Sequence, residues 1–320
     1  MKIILFTACC LLQLGVSGQR VDLIADEGDL VIELLRLDVS GAVRGTIAFM
    51  VFDKESRLKH INSMLLHNTK EASEADLKFS SDYYYDSLGR VIRENVFQMD
   101  GDSTSLLRYG LYTYVPDGHD FRAYDGEDKK LLTEVVTRTE GRICTKSRLL
   151  DKALLSSASI KKGHRLEWRK YTWEIDSLGR AISLIEKSEF KSELEPEECE
   201  MRFGYGPQYI TVSCVENILY TLHYDKNGRL SSCEYAGEQR TWTDYKYHRK
   251  TKLLSSITYH AVVHDTGQRV NIQRKFRVHK EFSPDFSDFS IDAINRELLQ
   301  IFTKVPGHRY DDSRYYMFLN

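Results

Sequence analysis

The chain has 320 residues, of which 42% are hydrophobic, so it is long enough to bury a large core. Its 45 basic and 47 acidic residues give a formal net charge of −2 at pH 7, which does not favour nucleic acid or an acidic membrane surface as a partner. The most basic stretch, Arg269–Lys280, has charges on both faces of a predicted strand, which is typical of a solvated sheet edge. No stretch beyond the N-terminal segment approaches the roughly 18 consecutive apolar residues of a membrane helix, so we expect no membrane span.

The N-terminus has the features of a secretory signal. Met1-Lys2 is a short basic start, residues 3–14 are almost all apolar, and Val16-Ser17-Gly18 suits a signal peptidase. We therefore predict a signal peptide over residues 1–18 and a secreted or periplasmic protein. The alternative is a lipoprotein signal, acylated at Cys9.

A short unit recurs along the chain, as Tyr83–Val91, Trp173–Ala181 and Leu222–Leu230. Each copy has an aspartate, a glycine three positions later and an arginine directly after the glycine. Aspartate hydrogen-bonds the backbone two residues on, and glycine supplies the left-handed conformation that ends a type I turn with a bulge. We therefore predict β-hairpins with positive φ at the glycine of each copy, namely Gly89, Gly179 and Gly228.

The same register fits weaker copies, in which the residue before the turn faces the first residue after it. The predicted pairs are Phe52–Leu58, Tyr85–Val91, Tyr124–Leu131, Ile175–Ala181, Tyr224–Leu230, Tyr247–Leu253 and His264–Val270. One face of these strands is mainly apolar and the other mixed to polar, the period-two pattern of a half-buried antiparallel strand. The aromatic residues on the apolar face are expected to form a ladder in the core rather than a ligand platform. They are Tyr83, Tyr85, Trp173, Tyr224, Tyr245 and Tyr247.

These units resemble the YD repeat of the RHS-repeat family, whose unit is approximately Tyr-x-Tyr-Asp-x-x-Gly-Arg-Leu. The close matches are Tyr83–Val91, Trp173–Ala181 and Leu222–Leu230, and the other copies are degenerate. The resemblance implies β-hairpins joined into long, curling sheets, some of which enclose a hollow shell. The turn positions here are between 17 and 51 residues apart, which departs from a near-uniform repeat.

The pattern predicts an all-β protein of consecutive antiparallel hairpins. About fourteen strands exceed what a strongly twisted open sheet usually carries, so we expect a large curled or layered sheet. Val21–Met50 suggests two or three strands, and Leu106–Val115 suggests another. Ser290 suits the N-cap of an amphipathic helix from Ile291 to about Thr303. The expected division is a signal peptide at 1–18, a hairpin-repeat domain at 19–285, and a C-terminal helix and tail at 286–320.

Four cysteines follow residue 18, at Cys144, Cys199, Cys214 and Cys233. They include no Cys-x-x-Cys unit, so a zinc site is not indicated, and an even number in an exported chain permits disulfides. A two-residue turn at Gly206-Pro207 would place Cys199 opposite Cys214. A disulfide between these two is one expectation, and two free thiols are the other.

Two polar groups are candidates for chemistry, and a structural role is favoured for each. His260 and His264 would share a strand face, but the glutamate of a metalloprotease motif is missing between them. Glu195, Glu197 and Glu198 could supply the carboxylate pair of a glycoside hydrolase, but clustered acids around a proline are typical of a solvated loop. We therefore predict no catalytic residue, no metal ligand and no cofactor.

Three functions remain open at this point. The leading hypothesis is a non-catalytic exported repeat scaffold or binding protein of the cell envelope, with a protein or glycan partner, since repeats build extended surfaces. The alternative is a carbohydrate-binding or carbohydrate-cleaving envelope protein, which a solvent-facing aromatic trough beside two close carboxylates would favour. A third is a fragment-like relative of the RHS shells, although the chain is short for enclosing a cargo.

Overall fold

The structure is a computed structural model that describes residues 25–38, 40–63, 78–100, 103–139, 143–149, 166–178, 180–190, 197–214, 217–236, 240–262, 267, 269–279 and 286–302. The predicted signal peptide, Gly179, Glu195 and His264 lie outside the described residues.

The described residues form eighteen strands followed by one helix. The strands are β1 (Leu30–Leu37), β2 (Val43–Phe52), β3 (Leu58–Ser63), β4 (Lys78–Tyr85), β5 (Val91–Asp100), β6 (Ser103–Val115), β7 (Gly118–Asp125), β8 (Leu131–Thr139), β9 (Ile143–Leu149), β10 (Leu166–Ile175), β11 (Ala181–Phe190), β12 (Glu197–Tyr205), β13 (Tyr209–Cys214), β14 (Asn217–Tyr224), β15 (Leu230–Ala236), β16 (Arg240–Tyr247), β17 (Leu254–Val262) and β18 (Arg269–His279). The helix is α1 (Ile291–Phe302).

All eighteen strands belong to one antiparallel sheet. Each strand pairs with the next one along the chain, and β1 pairs with both β2 and β18. Every described strand therefore has a hydrogen-bonded neighbour on each side. The expected all-β fold of consecutive antiparallel hairpins with a C-terminal helix is confirmed.

The aspartate of each repeat organises its own turn. The Asp86 carbonyl accepts the N–H of Gly89 at 3.0 Å, and Asp86 Oδ1 accepts the N–H groups of Leu88 and Arg90, both at 2.9 Å. Asp86 Oδ2 accepts Nε of Arg90 at 2.8 Å. The backbone N–H of Arg90, helped by its guanidinium, holds the pKa of Asp86 below its usual value. The carboxylate thus fixes both the turn and the arginine that follows it.

The conformation at the end of the turn is as expected. Gly89 and Gly228 both have a φ of 74°. Where a copy has no glycine at the last position of the loop, another residue takes the left-handed conformation, as in Ser56 with a φ of 64° and Lys129 with a φ of 58°. The backbone geometry of the repeat is therefore kept even where its sequence is degenerate.

Each turn arginine also contacts a tyrosine of a later strand. The Arg229 Cζ lies 4.7 Å from the ring centroid of Tyr247, and the Tyr247 hydroxyl donates a hydrogen bond to the carbonyl of Leu230 at 2.9 Å. Leu230 begins the bulge that follows the turn. One tyrosine thus makes a cation–π contact with the arginine and hydrogen-bonds the bulged backbone. We call the set formed by Asp225, Arg229 and Tyr247 a clasp.

The clasp recurs with the same contacts in the described part of the chain. Its copies are Asp53–Arg57–Tyr85, Asp86–Arg90–Tyr114, Asp176–Arg180–Tyr205 and Asp225–Arg229–Tyr247. The arginine lies 4.3 to 5.0 Å from the ring centroid, and the hydroxyl lies 2.7 to 2.9 Å from the carbonyl. The arginine and the tyrosine are between 18 and 28 residues apart in sequence. The repeat is therefore regular in space although its spacing in sequence is irregular.

The main core lies on the sheet face that carries the residues flanking these turns, which we call the core face. The predicted aromatic ladder is part of it: Tyr83, Trp173 and Tyr245 are buried, and Tyr85, Tyr224 and Tyr247 pack against them partly buried. Aliphatic partners such as Val91 and Leu230 lie in the same cluster. The expectation of a packed ladder is confirmed.

The first two strands are buried on both faces. The core face of β1 contributes Leu30, Ile32 and Leu34. The opposite face carries a second cluster formed by Val31, Phe49 and Val51, with Ala25 packed against it. A strand that is covered on both sides does not need to alternate, which explains the nearly continuous apolar runs of β1 and β2.

Helix α1 packs its apolar stripe onto the core. It begins after Ser290, whose carbonyl accepts the N–H of Ile294 at 3.1 Å, and Ile294 and Leu298 are fully buried. The predicted start of the helix and its internal packing are therefore confirmed.

A buried amide docks the helix to a turn. Asn295 Oδ1 accepts the backbone N–H of Leu254 at 2.7 Å, and Asn295 Nδ2 donates to the carbonyl of Lys252 at 3.0 Å. At the start of the helix, the Ser290 N–H donates to the Ser56 hydroxyl at 2.8 Å. The helix thus joins the turn after β2 to the turn after β16.

Most of the predicted register is correct. The confirmed pairs are Phe52–Leu58, Tyr85–Val91, Tyr124–Leu131, Ile175–Ala181 and Tyr224–Leu230. The pair Tyr247–Leu253 is wrong: Tyr247 pairs with Leu254, because Lys252 is the residue with positive φ and the loop is one residue longer. The pair His264–Val270 is also wrong, since Val270 pairs with Ala261 across a longer connection.

The cysteine pairing was predicted from the wrong turn. The turn runs from Gly206 to Tyr209, with the Gly206 N–H bonded to the Tyr209 carbonyl at 2.9 Å, so Pro207 takes its second position. Proline suits that position and is disfavoured at the third, where the prediction had placed it. Cys214 consequently pairs with Met201 rather than with Cys199. The two sulfur atoms still lie 3.1 Å apart, and both cysteines are free thiols, which agrees with the second of the two expectations.

We expect Gly89→Val to lower the free energy of unfolding by about 1–2 kcal/mol, because a β-branched residue resists a positive φ. A Cβ at this position would meet only Arg57 Cδ at 4.0 Å, so the cost is conformational rather than steric. Urea unfolding measures it. Gly45→Val is the matched control, because Gly45 lies in extended strand with nothing within 4 Å of a built Cβ. Equal stability of the two variants would contradict the turn assignment.

The clasp predicts that Tyr247→Phe costs about 1–2 kcal/mol, because the partly buried carbonyl of Leu230 loses its donor while the ring remains. Burial raises the pKa of Tyr247 to about 12, so the hydroxyl stays a donor across the working pH range. Tyr209→Phe is the control, since Tyr209 is 45% exposed. If both substitutions leave the urea midpoint unchanged, the clasp hydrogen bond does not stabilise the fold.

Candidate functional site

The core face is not packed along its whole length. Away from the turns, the last strands place large apolar side chains on this face that remain exposed: Tyr235, Tyr259, Val270 and Ile272. Among these, Tyr259 is 40% and Ile272 is 43% exposed, and the two are cross-strand partners. The open part of the core face therefore offers an aromatic ring and an aliphatic surface to solvent.

Two arginines adjoin this open part. Arg36 of β1 and Arg274 of β18 are direct cross-strand partners, and Arg274 is also the partner of Ile257, which belongs to the core. Strand alternation places both arginines on the core face, since Leu34 and its partner Phe276 lie there. Two positive side chains thus face each other on neighbouring strands.

Neither guanidinium has a hydrogen bond or an ion pair with another group in the described part of the chain. Arg274 is half-buried, and burial, followed by the charge of Arg36, lowers its pKa. Like charges directly opposite each other destabilise a strand pair. The pair therefore costs the fold free energy, and no carboxylate among the described residues is paired with it to offset that cost.

The neighbours of the arginines complete the candidate site. Ile257 of β17 is the direct partner of Arg274, and Tyr259 lies two residues further along β17. Tyr259 is therefore the diagonal neighbour of Arg274 on the same face. We call Arg36, Arg274, Tyr259 and Ile272 the arginine–tyrosine patch. Guanidinium groups stay charged at any working pH, so the patch offers hydrogen-bond donors rather than a general base.

The basic stretch Arg269–Lys280 is the sequence feature that contains part of this site. Arg269–Lys280 was expected to be a solvated edge, but β18 has a strand on each side and its charges have separate environments. Arg277 lies on the opposite face and pairs with Glu33 at 3.3 Å. Arg274 has no such partner among the residues that the structure describes. The solvated-edge expectation is therefore wrong for this strand.

His260 lies in a polar row on the opposite face. Its Nδ1 is 2.8 Å from Asn271 Oδ1, its Nε2 is 3.0 Å from Asp244 Oδ2, and its ring stacks on Trp242 with centroids 4.6 Å apart. Both ring nitrogens therefore have protein partners. This is a structural arrangement, consistent with the role favoured from the sequence.

The acidic cluster around Pro196 lies at the start of β12, where Glu197 and Glu198 occupy neighbouring strand positions. The side chain of Glu197 lies outside the described residues, as does Glu195. Glu198 is exposed.

Two buried polar pairs were missed by the sequence reasoning. His60 Nδ1 lies 2.6 Å from Asp82 Oδ1, and His60 Nε2 is buried without a hydrogen-bond partner in the described residues. Glu33 Oε2 lies 3.0 Å from His279 Nε2, and Glu33 Oε1 accepts the Thr46 hydroxyl at 2.5 Å. Both pairs belong to the opposite face of the sheet, on β1, β3, β4 and β18, and Glu33, His60 and His279 are buried there. The pattern of one strand does not predict that this second face is also buried.

The described residues contain no group of three or more histidine, cysteine, aspartate or glutamate side chains placed to hold a metal ion. Within the same residues, no helix has the length and hydropathy needed to span a membrane.

No family model and no curated protein matches the chain. Among solved structures, it is similar to a porin-like protein from Bacteroides uniformis, with a TM-score of 0.40 and 12% identity over 78% of this chain and 97% of that one. It is also similar to TcdB2-TccC3, with a TM-score of 0.29 and 10% identity over 75% of this chain and 17% of that one. These values are too low to support an inference about function.

The Glu33 pair predicts a pH-dependent contribution to stability. Burial opposes ionisation of Glu33, but the hydrogen bonds from His279 and Thr46 and the charge of Arg277 outweigh it and lower the pKa of the carboxyl. A lowered pKa stabilises the fold above the unfolded value of about 4.3, and the contribution is lost as the pH falls through the folded value. Glu33→Gln should therefore be less stable than the parent chain at pH 7, with a gap that narrows below about pH 4. Urea midpoints at both pH values measure it.

The control for this prediction is Glu234→Gln, because the Glu234 side chain is 44% exposed. Its difference from the parent chain should be small at both pH values. A gap for Glu33→Gln that stays constant from pH 7 to pH 3.5 would contradict the assigned ion pair.

Proposed function

We propose that the protein is a non-catalytic repeat scaffold, exported to the cell envelope, that binds a ligand at the arginine–tyrosine patch. The observation that carries the proposal is the patch itself: two guanidinium groups without a hydrogen-bond or ion-pair partner among the described residues, beside an exposed tyrosine on the open part of the core face. Donors without a base or nucleophile suit binding rather than bond cleavage.

The clasps support the scaffold part of the proposal. Each one ties a turn to a tyrosine of a later strand, so the hairpins are held together by side chains as well as by the sheet. A binding site on rigid strands keeps its geometry better than one on loops. We further propose that the chain is a divergent YD-repeat protein, because the clasp is built from the aspartate, arginine and tyrosine positions of that unit.

Export rests on the sequence of residues 1–18. Expression of the whole chain in a bacterial host should give a periplasmic product whose N-terminus is Gln19. Cell fractionation followed by N-terminal sequencing tests this. A membrane-bound, acylated product that is lost in Cys9→Ser would support the lipoprotein alternative, and an unprocessed cytoplasmic product would contradict export altogether.

A carbohydrate ligand is the second candidate. The exposed ring of Tyr259 favours it, because aromatic faces stack on sugar rings and this residue is 40% exposed. The cleaving form of this candidate requires two close carboxylates, and the patch instead holds arginines.

The scaffold proposal separates two kinds of aromatic residue. Trp173→Ala should cost roughly 3–5 kcal/mol of stability, because Trp173 is buried in the ladder. Tyr259→Ala should leave the melting temperature nearly unchanged and weaken ligand binding, measured on an array of neutral and acidic glycans. If Trp173→Ala keeps the melting temperature and loses glycan binding, the ladder is the binding platform and the proposal fails. Release of shorter glycan products by the parent chain would show that the protein is catalytic.

A further inference from the structure

We propose that Arg36 and Arg274 bind one oxyanion group, a sulfate, phosphate or carboxylate, of a small ligand whose carbon skeleton lies against Tyr259 and Ile272. This inference deepens the proposed function, because it names the chemistry of the ligand. It rests on that proposal in one respect, namely that the protein binds the ligand without converting it.

The geometry of the two strands is the first reason. Arg36 and Arg274 are direct partners in the β1–β18 ladder, so their Cβ atoms are about 4.5–5.5 Å apart and both side chains leave the sheet on the same side. Two guanidinium groups at this separation can converge on the oxygens of a single anion. Planar guanidinium groups match the oxygens of carboxylate, sulfate or phosphate with paired N–H donors.

The second reason is the charge balance of this part of the sheet. On the opposite face of the same two strands, Glu33 receives Arg277 and His279 at 3.3 and 3.0 Å. On the core face, no carboxylate in the described residues is paired with Arg36 or Arg274. The fold therefore neutralises positive charge on one face and leaves two charges facing each other on the other. A bound anion would supply the missing negative charge.

Burial distinguishes this pair from two solvated arginines. Arg36 is exposed, but Arg274 is half-buried next to Ile257 and next to Phe276 along the strand, both of which belong to the core. A half-buried guanidinium without an acceptor has lost part of its hydration without replacement. The exposed side of the pair, towards Arg36, leaves room for a ligand to enter.

The residues next to the arginines indicate what kind of molecule bears the anionic group. Tyr259 and Ile272 are exposed cross-strand partners: Ile272 lies two residues before Arg274 on β18, and Tyr259 lies diagonally across from Arg274 on β17. An aromatic face next to a charged group suits a sugar or another small ring that bears the acidic group. The patch is thus an anion site with an apolar side, which favours an organic ester or acid over the free inorganic ion.

The test measures the melting temperature of the purified chain as a function of sulfate concentration. Chloride is added to keep the ionic strength constant. A ligand that binds the native state raises the melting temperature in a saturable way. Sulfate also stabilises proteins generally, so the comparison is with Arg36→Gln and Arg274→Gln. Each substitution should weaken the apparent sulfate affinity about tenfold or more, because one charged hydrogen-bond donor group is lost.

A second readout does not depend on any ligand. In a low-salt buffer with chloride as the only anion, Arg36→Gln should melt at a higher temperature than the parent chain, since it removes the repulsion. In saturating sulfate the order should reverse. Arg44→Gln is the control with the same change in net charge, because Arg44 is exposed and paired with Asp38 at 2.9 Å. It should not change the sulfate response, and it should not melt above the parent chain.

Glucose 6-sulfate, glucose 6-phosphate and glucuronate, each compared with glucose, distinguish the sources of the oxyanion. Binding of the charged sugars above inorganic sulfate, weakened by Tyr259→Ala, supports the full proposal. Equal binding of inorganic sulfate and the sugars would overturn the contact with Tyr259. A sulfate response that is the same in the parent chain and in both arginine variants would overturn the anion site. Conversion of a sugar with the arginine dependence intact would overturn only the non-catalytic role.

Discussion

The carboxylate of the turn aspartate is the group on which the rest of the sheet depends. In Asp225, one oxygen accepts the N–H groups of Asn227 and Arg229, and the other accepts the Arg229 guanidinium. The guanidinium is thereby held over the ring of Tyr247, whose hydroxyl bonds the bulge just after the turn. A single charge thus fixes the turn, the arginine rotamer and the position of a strand that arrives later in the chain. The clasp links local turn chemistry to tertiary structure, which a hairpin turn alone does not do.

The clasp also explains why the repeat tolerates irregular spacing. The tyrosine lies on a strand that returns to the end of the sheet where the turn is, and the clasp requires only that this strand reaches the arginine. The segment between the arginine and the tyrosine can therefore vary in length. Tyr85 is the last residue of β4 and Tyr114 the last but one of β6, and each contacts the arginine of the turn that begins two strands earlier. The third position of the turn loop tolerates Ser56 in place of glycine because the bonds to Asp53 hold the backbone. Uniform sequence spacing is thus not needed for a uniform sheet.

The sequence was sufficient for features that depend on local chemistry. The hairpins around Asp86 and Asp225, their register and the packed face follow from alternation and turn residues, and so does helix α1. The predicted register was wrong where a loop is one residue longer than in the other copies, as at Lys252. It was also wrong where the position of Pro207 within the turn sets the pairing of the cysteines. The sequence also could not reveal that β1 and β18 are neighbours, because the pairing joins residues more than two hundred positions apart. The arginine–tyrosine patch exists only through that pairing, so no local pattern predicts it.

The long-range pairing of β1 with β18 also decides what the basic strand does. Its charges at Arg274 and Arg277 are three positions apart and therefore lie on opposite faces. β1 offers a carboxylate, Glu33, on one face and a second arginine, Arg36, on the other. A shift of the register by one residue would exchange the faces of every side chain on the strand. The same register that gives Arg277 its acidic partner thus forces Arg274 against Arg36. The pairing of β1 with β18 thus sets two arginines against each other with no carboxylate paired to them among the described residues, which is the reason we propose an anionic ligand.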